Sequence, residues 1–342
     1  MLLASYASVY VNPHEYWYFA LLGLAFPFIF FINLAFVVFW FFQFNIKMVY
    51  GILAIIIGYS FIPRNFQFFK KSNITDEKTI EICSYNVGLF GYFEGKWLVD
   101  ETIVELEKNP ADIICFQEFL NLKSDTSSTI DTFLKTTKFK YFYFEKLKDG
   151  RKRGEYGMLI LSKFPIKNKG LVQFNQYTGN MCVFCDVIIN GELSRVYNVH
   201  LQSFRFKKND YQFINKITDS KVEKIDASKN LLRKIKHAYS IRANQVEVLT
   251  QFISNSNLPY FILGDFNDPP MSYSYQKLSN NMKDAFIENG FGMGKTYIGL
   301  MPNFRIDYIL YPEKHSGISY STKKLGSDHQ MLRTKIFFNK DI

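Results

Sequence analysis

Two long apolar stretches dominate the start of the chain. Residues 16–46 and 48–63 contain no charged side chain and are separated by Lys47 alone. A helix of about 20 apolar residues spans the bilayer core, so the first stretch is long enough, and the second, about 24 Å as a helix, is marginal. A run that is apolar on all faces has no polar side to meet water, which disfavours the alternative of a buried core hairpin. The pattern predicts a membrane anchor at residues 1–63, with two transmembrane helices.

After residue 63 the pattern changes. Residues 64–78 are polar and predict a juxtamembrane linker, and residues 79–342 alternate short apolar runs with polar helical stretches. Helices are predicted at 97–109 and 231–254. Many strands and few long helices suggest two packed sheets with helices outside, an α/β fold. The predicted strands, β-branched or aromatic and bounded by Gly, Pro or Asn, are 79–85, 112–116, 139–144, 156–162, 181–189, 195–200, 260–263, 305–311 and 332–338.

Charge is distributed as unevenly as hydropathy. The chain has 342 residues and a net charge of +10. The only charged side chains in residues 1–63 are Glu15 and Lys47, which cancel, so the excess positive charge lies wholly after residue 63. Residues 204–242 hold eleven basic and four acidic side chains. Such a segment is either a solvated basic helix pair or a surface for anionic headgroups or a polyanion.

The composition excludes a disordered chain, a collagen and a disulfide-rich miniprotein.

The four cysteines lie inside apolar, strand-like runs, which predicts buried thiols. Cys182 and Cys185 are three residues apart in an extended pattern, where their side chains point to opposite faces. A zinc or redox site at this pair is therefore disfavoured.

Polar clusters follow several of the predicted strands, which is how an enzyme places reactive groups at one edge of a rigid sheet. Each cluster alone has an ordinary explanation, as a turn, a strand-end carboxylate or a core histidine. Together they form a set of carboxylates, amides and two imidazoles suited to a hard cation and a phosphate. The motifs are YNVG at 85–88, FQE at 116–118, YNVHLQS at 197–203, GDFND at 264–268, RIDYIL at 305–310 and GSDH at 326–329.

In their order and separation, these motifs resemble those of the endonuclease/exonuclease/phosphatase (DNase I-like) superfamily, and the chain looks like a membrane-anchored bacterial-type member. The resemblance covers residues 79–338. It implies a four-layer α/β sandwich, with two packed mixed sheets flanked by helices, and Mg²⁺-dependent cleavage of a phosphoester, with Mn²⁺ as an alternative cation.

The resemblance also implies roles for individual residues. Glu118 would be the principal metal ligand, with Asn86 beside it and Asp328 in support. Asp265 and His329 would position and deprotonate the attacking water, and which of them is the formal base stays open. Asp307 would hold His329 in the right tautomer, while His200 and Asn267 would donate hydrogen bonds to the phosphate.

One further motif is rejected. Residues 292–296 look like the end of a P-loop, but Asn289 stands where its first glycine would be, so ATP binding is not expected. A polar loop leading to Thr296 and Tyr297 is what the resemblance implies at this place.

Three functions compete at this point. The favoured one is a membrane-anchored Mg²⁺-dependent phosphoesterase acting on a phospholipid or sphingolipid headgroup, since an anchor raises the effective concentration of a membrane substrate. The basic charge supports a membrane-tethered nuclease instead, and the third alternative is a non-catalytic scaffold. Lys47 stands alone between the apolar stretches whereas Arg64, Lys70 and Lys71 follow the second, so the positive-inside bias predicts a cytoplasmic catalytic domain at a bacterial inner membrane.

Overall fold

The computed structural model describes residues 1–69, 79–147, 154–174, 179–206, 210, 221–299 and 304–339. Most of the predicted linker, residues 70–78, therefore lies outside the described residues. The helices are α1 (Leu2–Ala7), α2 (Pro13–Tyr16), α3 (Tyr18–Leu24), α4 (Phe26–Phe42), α5 (Met48–Ile57), α6 (Ile62–Asn65), α7 (Val99–Lys108), α8 (Thr129–Thr136), α9 (Lys221–Ser254), α10 (Tyr273–Leu278) and α11 (Ala285–Asn289), with 3₁₀ turns at Tyr59–Phe61 and Gly88–Glu94.

The two apolar stretches, predicted as two transmembrane helices, are each divided into shorter helices. Among the described residues, no single helix has the length and hydropathy needed to cross a bilayer. Two pairs of consecutive helices reach that length and hydropathy together, although each pair is bent. The bend is 64° between α3 and α4 and 60° between α5 and Tyr59–Asn65. Pro27 lies in the first turn of α4, where a helix tolerates the missing N–H. In the interior of a helix, proline removes a hydrogen bond and clashes with the preceding turn, so α3 and α4 do not form one continuous helix. Gly58 ends α5 in a non-helical conformation.

The chain divides into two compact units, and the first joins the N-terminal helices to later parts of the sequence. It comprises Met1–Phe66, Gln202–Thr250 and Asn267–Leu278. Its apolar core includes Met271 together with residues from the N-terminal region, namely Leu2, Tyr6, Val9, Phe26, Phe30, Phe61 and Phe66. The N-terminal region is therefore packed against residues that lie far along the chain.

The second unit comprises Gln67–Leu201, Gln251–Phe266 and Ser279–Ile342 and contains two six-stranded mixed sheets. The strands are β1 (Thr79–Asn86), β2 (Ile113–Asn121), β3 (Tyr141–Lys146), β4 (Glu155–Ser162), β5 (Ile166–Val172), β6 (Met181–Ile189), β7 (Glu192–His200), β8 (Tyr260–Asp265), β9 (Met282–Asp284), β10 (Asp307–Pro312), β11 (Ser316–Lys324) and β12 (Gln330–Phe337). The first sheet has the order β11-β12-β1-β2-β4-β3 and the second β5-β6-β7-β8-β10-β9.

The register explains where polar strand ends meet. In each sheet one central pair is parallel, β1 with β2 and β7 with β8, so the carboxyl ends of these four strands lie at one edge of their sheets. The next strands, β12 beside β1 and β10 beside β8, run antiparallel, so they begin at that same edge. Asp307, the first residue of β10, is directly opposite Asp265.

One apolar cluster fills the space between the two sheets, and a second lies between the first sheet and helices α7 and α8. On the second sheet, Phe252 in the last turn of α9 packs against Phe184 and Tyr197. Two packed mixed sheets flanked by helices confirm this part of the sequence prediction. All four cysteines are buried free thiols, as the sequence predicted.

All nine predicted strands are present, but the part of the chain that the structure describes contains three more, which were missed. The missed strands β5, β9 and β11 each lie at an end of a sheet. End strands have one open side and alternate less strictly, and β5 and β11 carry several polar residues, including Lys167, Lys169, Lys323 and Lys324. Hydropathy alone gives little signal for such strands.

The basic segment 204–242 is less uniform than its charge suggests. Several of its residues, including Lys207, Lys208 and Lys216, lie outside the described residues. Arg242 is fully buried and pairs with Asp268 at 2.6 Å, so counting it in a charged surface was wrong. Lys229, Arg233 and Lys236, spaced along one face of α9, are exposed.

Candidate active site

The strand ends bring most of the predicted site residues to one edge of the second unit. Asn86, His200 and Asp265 are the last residues of β1, β7 and β8, and Glu118 lies within β2. Asp307 starts β10, and His329 immediately precedes β12. The clustering predicted from the sequence follows from this topology, since parallel strands place their carboxyl ends together.

Asp265 is the centre of the cluster. Its Oδ2 accepts a hydrogen bond from Asn86 Nδ2 at 3.0 Å and lies 3.8 Å from His200 Nε2 and 3.7 Å from His329 Nε2. The Asp265 side chain is 1% exposed. A buried carboxylate is stable when donors and positive charge surround it, and two imidazoles and an amide do so here.

His329 and Asp307 form a buried pair. The ring Nδ1 lies 3.0 Å from Asp307 Oδ2, which fixes Nδ1 as the protonated nitrogen and turns Nε2 towards Asp265. Burial lowers the pKa of His329, but the charges of Asp307 and Asp265 outweigh it and raise the pKa to about 10. The imidazole is therefore held in place and kept protonated near neutral pH by its carboxylate neighbours.

Glu118 reaches the site through an irregularity in β2. The pairing of β2 with β4 shifts between Phe116 and Phe119, and Glu118 has a φ of 50°. A bulge of this kind turns one side chain out of the regular alternation and occurs beside active sites. The left-handed conformation costs a non-glycine residue roughly 1–2 kcal/mol, so the surrounding strands must hold it. Glu118 Oε1 lies 3.6 Å from His200 Nε2.

A left-handed turn follows Asn86. Gly88, Leu89, Phe90 and Gly91 have φ between 51° and 67°. The Asn86 Oδ1 atom accepts from the Gly88 N–H at 3.1 Å, which orients the amide so that its nitrogen points to Asp265. The turn thus fixes the direction of the Asn86 side chain.

Ser327 connects the GSDH motif at 326–329 to the YNVG motif at 85–88. Its hydroxyl donates to the Asn86 carbonyl at 2.9 Å and accepts from the His329 N–H at 3.2 Å. Asp328 is exposed, and its Oδ1 lies 3.4 Å from the Ser327 hydroxyl. The structure therefore places Asp328 on the solvent side of this connection.

Asn267 differs from the other predicted residues because it belongs to the first unit. It lies two residues after Asp265, is half-buried and has a φ of 53°. Its predicted hydrogen bond to phosphate stays a prediction.

Three residues that the sequence analysis did not assign to the site support it. Gln117 Nε2 donates to Asn198 Oδ1 at 2.7 Å, and both side chains are fully buried. This bond links β2 of the first sheet to β7 of the second, next to Glu118 and His200. Thr296 Oγ1 accepts from the Asp307 N–H at 3.1 Å and so fixes the start of β10. Polar residues inside apolar strands were the signal for Gln117 and Asn198.

The donors present fit a hard divalent cation. Asp265, Asp307 and His329 each offer an atom within 4.8 Å of the others, and Glu118 supplies a further carboxylate near His200. Carboxylate oxygens are the ligands that Mg²⁺ and Mn²⁺ prefer. The sequence resemblance assigns Asp265, Asp307 and His329 to catalysis, and the roles of Asn86, Glu118 and Asp328 as metal ligands stay a prediction.

Comparison with protein families gives two matches. A model described as the Endonuclease/Exonuclease/phosphatase family matches residues 83–329. A model described as a domain of unknown function matches residues 1–65. No curated protein matches the chain.

Solved structures share the fold at low sequence identity. An endonuclease/exonuclease/phosphatase family protein from Leptotrichia buccalis is 16% identical, with a TM-score of 0.53 over 76% of this chain and 100% of that chain. The human nocturnin catalytic domain is 15% identical, with a TM-score of 0.54 over 80% and 97%. A mannosyl-6-phosphatase from Bacteroides thetaiotaomicron is 14% identical, with a TM-score of 0.52 over 76% and 100%.

Proposed function

The chain belongs to the endonuclease/exonuclease/phosphatase family, whose members are metal-dependent phosphoric ester hydrolases, and on this basis we propose that it is a membrane-anchored, Mg²⁺-dependent phosphoesterase. The observation that carries the proposal is the buried carboxylate of Asp265, on which Asn86, His200 and His329 converge. Such a cluster combines acceptors for a proton of water with donors for a phosphate.

Each group has a place in the proposed hydrolysis. Asp265 is the group that can take a proton from the attacking water. His329, held through Nδ1 by Asp307, has a pKa of about 10 and is protonated near neutral pH, so it would act as the base only after losing its own proton. His200, whose Nε2 lies 3.6 Å from Glu118 Oε1, would donate to a phosphate oxygen as negative charge builds. Glu118 and Asn86 would hold Mg²⁺, with Asp328 in support. When bound, the cation stabilises charge on the phosphoryl oxygens and lowers the pKa of coordinated water.

A variant pair tests the site. Glu118→Gln removes the proposed metal carboxylate at nearly constant volume. Glu313→Gln is the control, an exposed carboxylate that follows β10 at the end of the strand opposite to Asp307. We expect Glu118→Gln to lose Mg²⁺-dependent turnover of bis(p-nitrophenyl) phosphate while Glu313→Gln keeps it. Equal activity in both variants would refute the assignment.

A lipid headgroup is the favoured substrate because of the N-terminal helices. Helices α4 and α5 expose large apolar side chains, and Phe42, Phe44 and Ile46 at the turn between them are 72%, 96% and 74% exposed. Apolar surface on this scale is typical of a lipid or protein contact. Lys47 lies 4.9 Å from the Trp40 ring, and both residue types suit a membrane interface.

The substrate test compares two phosphodiesters. Full-length protein is assayed with labelled phospholipid or sphingolipid vesicles and with plasmid DNA, each with and without Mg²⁺. Release of a headgroup supports the lipid version, whereas DNA nicking without lipid turnover would refute it.

A nuclease is the second candidate, supported by Lys229, Arg233 and Lys236 on the exposed face of α9. Contacts between such residues and phosphates make binding strongly dependent on salt. The nuclease version requires that DNA affinity falls steeply between about 50 and 200 mM salt and that Lys229→Ala reduces this slope.

We also propose that the catalytic unit faces the cytoplasm at a bacterial inner membrane. The basis is the positive-inside bias, since Arg64, Lys70 and Lys71 follow the second apolar stretch. Protease protection in intact cells and in permeabilised cells tests this: cleavage in intact cells would place the catalytic unit on the outer side.

A further inference from the structure

The first unit packs the N-terminal helices around a segment that begins beside the active-site motif. We call residues 1–66 the N-terminal module and Asn267–Leu278 the 267–278 segment. The segment starts two residues after Asp265. Its first residue, Asn267, is predicted to donate a hydrogen bond to the phosphate of the substrate. Both belong to one compact unit although more than 200 residues separate them in the sequence.

The first contact involves the backbone of Met271. The Ser8 hydroxyl in the turn after α1 lies 2.9 Å from the Met271 carbonyl and 2.6 Å from the Ser5 carbonyl, which share its one proton. Gly23 of α3 packs on the same carbonyl, and a Cβ atom at Gly23 would lie 2.0 Å from the Met271 oxygen and 2.5 Å from Ser8 Oγ. Since the first clash is with backbone, a larger residue at Gly23 must displace the segment or α3 from the other.

A second contact lies at the other end of the segment. Arg64 Nη1 donates to Gln276 Oε1 at 2.7 Å, and the guanidinium carbon lies 5.5 Å from the centre of the Tyr275 ring. Tyr275 is 2% exposed. Arg64 therefore combines a charge-assisted hydrogen bond with a cation–π contact, both to the 267–278 segment.

A third contact fixes the start of the segment. Asp268 pairs with Arg242 at 2.6 Å, and both side chains are almost wholly buried. Arg242 Nε in turn donates to the Gln202 carbonyl at 3.0 Å. Asn267 precedes this ion pair by one residue and has a left-handed φ of 53°, a conformation that persists only where the surroundings hold it.

From these contacts we propose that the N-terminal module is a positioning element of the phosphoesterase. By holding Met271 and Gln276, it fixes the 267–278 segment and so the backbone of Asn267, and turnover depends on it even with a soluble substrate. This inference rests on the proposed function. It assigns the module a second role, distinct from membrane binding.

The sharpest test is Gly23→Ala in the full-length protein, with Gly51→Ala as control. A Cβ atom at Gly51 would lie 2.4 Å from Val37 Cγ2, so this control crowds the same module without reaching the segment. In detergent micelles with Mg²⁺ and bis(p-nitrophenyl) phosphate, we expect Gly23→Ala to lower kcat on the order of 10- to 100-fold with little change in KM. We expect Gly51→Ala to stay within about twofold of wild type, because small surface-like shifts away from the reacting groups change little.

Hydrogen exchange distinguishes positioning from general unfolding. With Gly23→Ala, amides in the 267–278 segment should exchange faster, whereas those of β1 and β8 in the second unit should not change. Faster exchange throughout both units would show that the variant unfolds, and the decision then passes to the milder substitutions at Arg64.

Arg64→Ala and Arg64→Lys add no volume. Alanine removes both contacts, whereas lysine keeps a donor and a charge, so we expect kcat to fall with Arg64→Ala and to recover in part with Arg64→Lys. Wild-type kcat in both variants would overturn the inference. A wild-type protein inactive on every phosphoester would instead overturn the proposed function, and the inference with it.

Discussion

The substitution Asn198→Ala tests whether a buried amide holds the two sheets together. Asn198 Nδ2 donates to the carbonyls of Phe116 at 2.9 Å and Leu159 at 3.2 Å, and its Oδ1 accepts from Gln117 Nε2 at 2.7 Å. Asn198 is in the second sheet and all three partners are in the first. Alanine removes three hydrogen bonds, each worth about 1 kcal/mol net.

The groups left behind raise the cost. Two carbonyls stay buried without this donor, and an unsatisfied buried group costs about 1–3 kcal/mol. Gln117 loses less, because its Nε2 also lies 3.3 Å from Ser84 Oγ. We therefore expect Asn198→Ala to lower the free energy of unfolding by about 3–5 kcal/mol, which is large for a single polar residue.

The assay needs a reporter in the second unit alone. The three tryptophans are Trp17, Trp40 and Trp97, and Trp97 belongs to the second unit, where it packs against Phe90. Replacing Trp17 and Trp40 by Phe leaves Trp97 fluorescence as the probe during urea unfolding. With an m-value of about 3 kcal/mol/M, the midpoint should fall by about 1 M or more.

Asn168→Ala is the matched control. Asn168 Nδ2 donates to Asp186 Oδ2 at 3.1 Å, but the residue is exposed, so its loss should cost less than about 1 kcal/mol. Equal midpoints for Asn198→Ala and Asn168→Ala would refute the idea that the buried amide joins the sheets.

Three further measurements address the site and the core. Asp307→Asn removes a charge that raises the pKa of His329, so the limb of the pH–rate profile that reports His329 should move to lower pH; an unmoved limb would contradict the pairing. The pKa of His329 is about 10 in the folded protein and 6.5 in its ordinary state, so protonation of His329 contributes its full stabilisation below pH 6.5. This contribution should be lost as the pH rises towards 10, and thermal melts over this pH range should show the loss. Burial raises the pKa of Cys83 and Cys185 to about 12, so thiol reagents at pH 8 should label them only after unfolding, and labelling of the native protein would contradict their burial.

The sheets were predictable because their central strands are buried on both faces. Residues 181–189 were predicted as a strand and form β6 with the same bounds, since an apolar run of this length between turn residues has few alternatives. Of the edge strands, β3 was predicted from its aromatic residues, whereas β5 and β11 carry too much polar sequence for the same rule. The site residues were predictable because Asn86, His200 and Asp265 stand where strands end.

The conformations that aim these residues were not predictable. Glu118 occupies a left-handed position at a bulge, and Leu89 and Phe90 lie in a left-handed turn, although neither residue type favours such angles. The preference arises from neighbouring strands and not from local sequence, so a pattern of polar and apolar residues does not contain it. The motifs therefore indicate which residues form the cluster but not the geometry in which they meet.

The packing of the N-terminal module shows the same limit on a larger scale. Its hydropathy predicted an anchor, a local property, whereas the Ser8 contact with Met271 joins positions 263 residues apart. Removing residues 1–66 to obtain an easily handled protein would expose Met271, which is 1% exposed in the full chain. It would also remove the hydrogen bond from Arg64 to Gln276. Loss of activity in such a truncated protein is therefore expected from the packing alone, and membrane dependence has to be measured on the full chain.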